Sequence, residues 1–226
     1  MTIHKPYKQS SYLIFMKNEL IKNICNKFQY DIIDSYNNKR NHALLLGDYH
    51  PLFPTEKVLN IDKTGKIKLI KTRYDTHTQS VIKVLSKLSE SYKTLLIEGV
   101  EKNVPLQKYP EYIKELNGKF KIIKGNDSED LIGKIFNLYR EVIDERGQHS
   151  TDLEIEEKIN HLQNRREDEF FIPSIANFIK QGNVIQLIGY NHLSSLRKKL
   201  KIKDIPFIAL KTKSKAPCNL RYILLN

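Results

Sequence analysis

Cysteine is scarce: Cys25 and Cys218 are the only two in 226 residues. Two thiols build neither a disulfide framework nor a four-ligand zinc knot, and they suit a reducing compartment. Long apolar runs are missing too. The start, MTIHKPYKQSSYLIFMKNEL, holds a five-residue apolar core and no small-residue cleavage site. Neither a secretory signal nor a membrane span is therefore expected. No repeat, low-complexity tract, serine elbow or cysteine-nucleophile motif is visible. Any hydrolytic chemistry is thus expected to use water rather than a covalent route. A cytoplasmic location is expected, with export by a signal-free route left open.

What is present is a globular composition, 40% apolar and 28% charged, of a length that suits one well-buried α/β domain. The net charge is +12, and lysine, spread along the chain, supplies most of it. That balance predicts weak, salt-sensitive binding to polyanions such as nucleic acid or anionic lipid. The densest basic run, RKKLKIK at 197–203, reads as a solvated helix face. Its functional alternative is contact with phosphate or lipid headgroups.

Hydrophobic spacing orders the elements. Residues 12–36 read as a helix, with Leu13, Met16, Leu20, Ile24 and Phe28 on one face. HALLLG is a short buried strand and KVLNIDKTGKIKLIK a hairpin. Thr76-His77-Thr78-Gln79 reads as a capping box that opens an amphipathic helix. TLLIE (94–98) is a second buried strand, followed by a helical stretch over about 105–116 and by strand KFKIIK (119–124). Asn126 is expected to cap the next helix. A further helix opens at Thr151 and runs towards Gly182, kinked or broken at Pro173. Strand NVIQLIG (183–189), a basic helix (191–201) and the strands IPFIALK and RYILL close the chain.

Three wholly apolar strands separated by helices predict a central, mostly parallel sheet covered by helices on both faces. A β-hairpin insertion and antiparallel C-terminal strands complete the expected α/β architecture. Its domain plan is an N-terminal helical segment (1–40) packed on a single α/β domain (41–226).

Two of these strands end alike. LLLGDYH places His50 three residues after Gly47, and VIQLIGYNH places His192 three residues after Gly189. Random placement of nine glycines and seven histidines gives roughly 0.3 Gly-x-x-His occurrences; the chain has two, both after buried runs. Glycine at a strand end would let the backbone turn so that the histidine points back over the sheet. The third apolar strand ends in Glu98, with Glu101 further on. A carboxylate in such a place needs a partner. Two imidazoles and a carboxylate (His50, His192 and Glu98) suit a divalent metal. Without metal, a carboxylate beside a histidine orients it as a general base. Asp48 is read either as a member of this site or as an Asx-turn after the strand.

The set LLLGDYHP, THTQSVIKVLSKL, LLIEGVE, NRREDEFFIPSIANFI and VIQLIGYNH resembles the superfamily that groups TraB and Tiki proteins, erythromycin esterases and ChaN-like haem-uptake proteins. The resemblance spans about 44–196. It implies a ChaN/Tiki-like α/β domain, an acid after the second strand, and an arginine on the helix before the last motif, Arg165 or Arg166, of which Arg166 is preferred. It also gives His77 and Gln79 a second reading as cofactor-pocket lining. Asp48 stands where the esterase and ChaN branches usually carry Glu.

The leading expectation is a hydrolase of ester or peptide bonds with a small-molecule or peptide substrate. Asp48, His50, Glu98, Arg166 and His192 form its site, with Mn, Co or Zn at His50, Glu98 and His192, or with a His/acid pair alone. Arg166 or the metal would stabilise the oxyanion. The alternatives are a non-catalytic binder of haem or another small ligand with the same fold, and a basic interaction module whose site has decayed.

Overall fold

The structure, a computed structural model, describes residues 19–37, 41–48, 59–61, 67–69, 73–100, 109–144 and 153–213. Of these, residues 48, 59–61, 67–69, 73–78, 109–111 and 139–144 are described by backbone alone. The order of elements is helix α1 (19–28), β1 (Tyr30–Tyr36), β2 (Ala43–Asp48), β3 (Leu59–Ile61), β4 (Ile67–Leu69), α2 (Arg73–Leu88), β5 (Thr94–Ile97), α3 (Tyr109–Leu116), β6 (Ile122–Gly125), α4 (Glu129–Asp144), α5 (Leu153–Arg166), a π-helical turn (Glu167–Phe171), α6 (Ile172–Ile179), β7 (Val184–Gly189), α7 (Tyr190–Ile202) and β8 (Phe207–Thr212).

Six strands form one sheet in the order β1-β8-β2-β7-β5-β6. Strands β8, β2, β7, β5 and β6 run parallel, and β1 closes one edge antiparallel to β8. The fold is therefore α/β, with a mostly parallel mixed sheet. Strands β3 and β4 pair antiparallel as a separate two-stranded unit. Among the described residues, no helix is long and apolar enough to cross a membrane.

Alternation along each strand builds two cores. Leu44, Leu46, Leu95, Ile97, Ile185 and Leu187 face α1, α2 and α3. Ala43, Leu45, Leu96, Val184 and Ile188 face Phe171, α6 and α7. Both faces of the central strands are thus buried, which is why they read as unbroken apolar runs rather than alternating ones. From β5 the chain crosses through α3 to β6 at one edge. From β7 it crosses through α7 to β8 in the opposite direction. The two crossover helices lie on opposite faces, so the chain reverses direction between β5 and β7. At such a switch point a crevice opens beyond the carboxyl ends of the strands.

The structure corrects several sequence expectations. The helix expected over 12–36 ends at residue 28. Gln29 takes φ 58°, which no α-helix continues, and 30–36 form β1, an edge strand bonded to β8. These residues therefore belong to the sheet and not to a helical N-terminal segment. The expected capping box 76–79 lies inside α2, which begins at Arg73. Helix α4 is capped by Ser128, whose Oγ accepts the Leu131 N–H at 3.3 Å. Asn126, expected as that cap, is buried instead and pairs with Gln186, donating to its Oε1 at 2.6 Å.

Pro173 produces no break. Helices α5 and α6 are joined by the π-helical turn, where the Ile172 N–H donates to the Glu167 carbonyl, five residues back. The widened turn precedes a proline that cannot donate and that crowds the preceding carbonyl. Neither Gly47 nor Gly189 supplies a left-handed turn. Gly189 has φ −58° as the residue before α7, and Gly47 lies within β2, where an added Cβ would meet Leu193 Cδ2 at 3.1 Å. Gly47 thus permits close packing of α7 on the sheet. The terminal run RYILL lies outside the described residues.

Candidate functional site

The carboxyl ends of β5, β6 and β7 gather a buried polar cluster. Glu98 follows β5 directly, and its backbone N–H donates to the Leu187 carbonyl of β7 at 2.9 Å. That bond places its side chain beside Gly189, whose N–H donates to Glu98 Oε2 at 2.5 Å. Gly189 is the residue before α7, so the carboxylate lies at a helix N-terminus, where a negative charge is favoured. Asp127 follows β6, and the Ser128 N–H donates to its Oδ1 at 2.8 Å.

The π-helical turn delivers the next pair. Adjacent residues of an α-helix point about 100° apart, so two neighbours seldom serve one buried site. Here Arg166 and Glu167 are both buried, and so, five residues on, are Phe171 and Ile172. The period of five keeps two adjacent positions facing the sheet through the turn. Arg165 points outward and pairs with Glu169 at 2.7 Å, so Arg166 is the one at the cluster.

Arg166 has every N–H engaged. Nε donates to both oxygens of Asp127, at 3.0 and 3.2 Å. Nη1 donates to Gln163 Oε1 at 2.6 Å and meets His192 Nε2 at 3.2 Å. Nη2 donates to Glu98 Oε1 at 2.6 Å and to Asp127 Oδ2. The guanidinium also lies 5.4 Å from the Phe171 ring centroid. Burial alone would pull the pKa of this cation down, but Glu98 and Asp127 outweigh it and raise the pKa above the ordinary arginine value.

His192 lies on the first turn of α7 and is buried. Its Nδ1 is 2.8 Å from Glu167 Oε1, and its Nε2 is 3.6 Å from Glu98 Oε1. Because a guanidinium only donates, Nε2 accepts from Arg166. Nδ1 therefore carries the ring proton and donates it to Glu167. The same Glu167 oxygen accepts the Ser195 hydroxyl at 2.5 Å, and its other oxygen pairs with Lys199 at 3.0 Å. Burial would raise the Glu167 pKa, but the hydrogen bonds from His192, Ser195 and Lys199 together lower it.

Of the residues picked from sequence, Glu98, Arg166 and His192 meet here. Asp48 ends β2 with its backbone in register opposite Gly189, so the carboxyl ends of β2 and β7 lie side by side. His50 and Glu101 lie outside the described residues. His77 lies in α2 and is described by backbone alone, and Gln79 is exposed on the same helix. Sequence reasoning missed Asp127, Gln163, Glu167, Ser195 and Lys199. Asp127 carried a readable signal: an acid just beyond a strand, as at Glu98.

Arg166 also bears on the metal expected from sequence. A divalent ion at Nε2 of His192 would lie against the guanidinium that already holds that lone pair, and Glu98 has one oxygen on Arg166 and the other on Gly189. Among the described residues, no group of three or more His, Cys, Asp and Glu forms a metal site. His50, the third ligand expected for a metal, lies outside the described residues, and at His192 the Arg166 N–H meets the Nε2 lone pair that a metal or haem iron would need.

Elsewhere, much of the basic run 197–203 is neutralised. Arg197 and Lys201 pair with Asp34 at 3.3 and 2.9 Å, and Lys199 pairs with Glu167 and Asp168. An open cleft of about 590 Å³ between α4 and α5, lined by Lys134, Glu157 and His161 among others, shares no residue with the cluster.

The fold and its cluster define a class: an α/β protein with a buried histidine, carboxylate and arginine network beyond the carboxyl ends of a parallel sheet. No family model, curated protein or solved structure matches the chain.

Proposed function

We propose that the protein is a hydrolase of ester or peptide bonds, related in plan to the TraB/Tiki, erythromycin esterase and ChaN-like superfamily, in which His192 activates water. The observation that carries this reading is the Glu167–His192 contact. It fixes the proton on Nδ1 and turns the basic Nε2 towards Glu98 and Arg166 at the switch point of the sheet.

In the resting site Nε2 accepts from Arg166 Nη1 at 3.2 Å, the longer of the two Nη1 contacts. It is the bond an incoming water replaces. Its exchange frees two things at once: the Nε2 lone pair, to take a proton from water, and an Nη1 proton, to hydrogen-bond the oxygen of the attacked carbonyl. Glu98 and Asp127 hold the guanidinium in place meanwhile. Contacts of this kind commonly tighten only with substrate present, and an oriented N–H aimed at a developing oxyanion is worth about 3 kcal/mol.

The test is turnover on a panel of carboxylic esters and short peptides by the wild type and His192→Ala, alongside a haem titration followed in the Soret region. Turnover lost in His192→Ala supports the reading. Turnover unchanged in His192→Ala defeats it, and a stoichiometric Soret shift that needs His192 favours the binder.

A further inference from the structure

Four donors converge on one buried position from four segments of chain. Glu98 comes from the end of β5, Asp127 from beyond β6, Gln163 from α5 and His192 from α7. Two carboxylates, an amide oxygen and an imidazole nitrogen would make a reasonable shell for a divalent cation. What they enclose is the guanidinium of Arg166, in contact with every one of them.

We propose that Arg166 is the resident cation of this site, a guanidinium supplied by the chain where a His/carboxylate centre would otherwise hold a metal ion. Three features support this. The match of donors to acceptors in the resting site is complete: one N–H on Nε and two on each Nη all find an acceptor within the chain. The spacing is that of a guanidinium rather than an ion. Apart from the shorter Nη2–Asp127 contact, the acceptors around the planar fork lie at 2.6–3.2 Å from three separate nitrogens, whereas a metal draws its ligands to about 2.0–2.2 Å of one point. The site is also built to receive an arginine. The π-helical turn starting at the next residue keeps this stretch of helix facing the cluster, and the Phe171 ring lies 5.4 Å from the guanidinium carbon, as in cation–π pairs. Lysine would bring a single ammonium and could not meet acceptors spread across the fork.

This inference concerns which cation the site holds. It stands apart from the hydrolytic reading, and its test uses no turnover. The full-length wild type is titrated with Zn²⁺ and with Mn²⁺, and its metal content is measured after dialysis. Arg166→Ala is then melted in millimolar guanidinium chloride and, separately, in equal sodium chloride.

The wild type is expected to retain no stoichiometric metal and to keep its melting temperature in chelator. Arg166→Ala is expected to melt about 10 °C lower, because two buried carboxylates lose their counter-charge. Millimolar guanidinium should recover part of that loss while sodium recovers none. If Arg166→Ala does not fold, Glu98→Gln decides: its metal content stays at the wild-type background while its melting temperature falls. Stoichiometric metal in the wild type that is lost in Glu98→Gln or His192→Ala overturns the proposal. So does an Arg166→Ala protein that guanidinium stabilises no more than sodium.

Discussion

Glu167 Oε1 lies 2.8 Å from His192 Nδ1 and 2.5 Å from the Ser195 hydroxyl, so one carboxylate oxygen serves two residues a helical turn apart on α7. It fixes both the tautomer and the plane of the imidazole. Glu167→Ala removes the carboxylate that accepts the Nδ1 proton and leaves the Arg166 N–H at Nε2 to hold the tautomer without it, which weakens the preference for Nδ1–H. The imidazole ¹⁵N spectrum should change from a single Nδ1–H form to a mixture. Turnover on any substrate found should fall about 100-fold, within the range of general-base contributions. An unchanged spectrum would show that Glu167 does not set the tautomer.

The Asp127 side chain is fully buried and takes three donor contacts from Arg166 besides the Ser128 N–H. Asp127→Asn removes one of the two negative charges on Arg166 and turns an amide NH₂ towards the guanidinium. Breaking such a buried pair costs about 3 kcal/mol, or roughly 6–12 °C in melting temperature for a chain of this size. Urea unfolding should give that loss with an unchanged slope. A loss under about 0.5 kcal/mol would put the pair in the class of exposed ion pairs.

Acid should act through Glu167. Its folded-state pKa lies below the ordinary 4.5 because the hydrogen bonds from His192, Ser195 and Lys199 outweigh burial. A carboxylate with a depressed pKa contributes stability that is complete above the unfolded value and is lost as pH falls towards the folded one. Unfolding free energy measured from about pH 6 to about pH 3 should therefore fall more steeply in the wild type than in Glu167→Gln. Parallel curves would remove Glu167 from the acid response.

Alkali should act at the opposite edge of the sheet. Tyr92 is buried, with its hydroxyl 2.8 Å from His42 Nε2, and burial raises its pKa above the ordinary 10.0. The folded form keeps the proton while the unfolded chain releases it, so stability is complete below that value and falls as pH rises beyond it. Tyr92→Phe should flatten the alkaline limb and cost about 1–2 kcal/mol at neutral pH through the lost bond to His42. Equal alkaline limbs would count against this assignment.

The sheet was legible because its central strands are buried on both faces and carry no polar interruption apart from Gln186. β1 was not. Its residues YDIIDSY leave Ile32 half exposed and pair on one side only, so they merged with the helical spacing that stops at Phe28. At the site, Arg166 came only from the resemblance to the superfamily, whereas Glu98 and His192 could be picked out because each follows a recognisable apolar strand. Glu167 could not, because helical periodicity places it a third of a turn away from Arg166, and nothing in the residue types announces a turn of period five. Asp127 was masked by reading Asn126 as a cap, although it is an acid two residues beyond β6, much as Glu98 is an acid one residue beyond β5.

The widened turn between α5 and α6 holds one residue more than an α-helix of the same length needs. Removing a single exposed residue there, such as Asp168, would let the backbone close into an ordinary helix without touching a buried side chain. The helices on either side would keep their relative phase, because the extra residue is what the wide turn absorbs, but Arg166 and Glu167 would then point about 100° apart, and the two neighbours could no longer both face the cluster. A single absorbed residue is thus what lets two consecutive side chains, one cationic and one anionic, serve the same buried network.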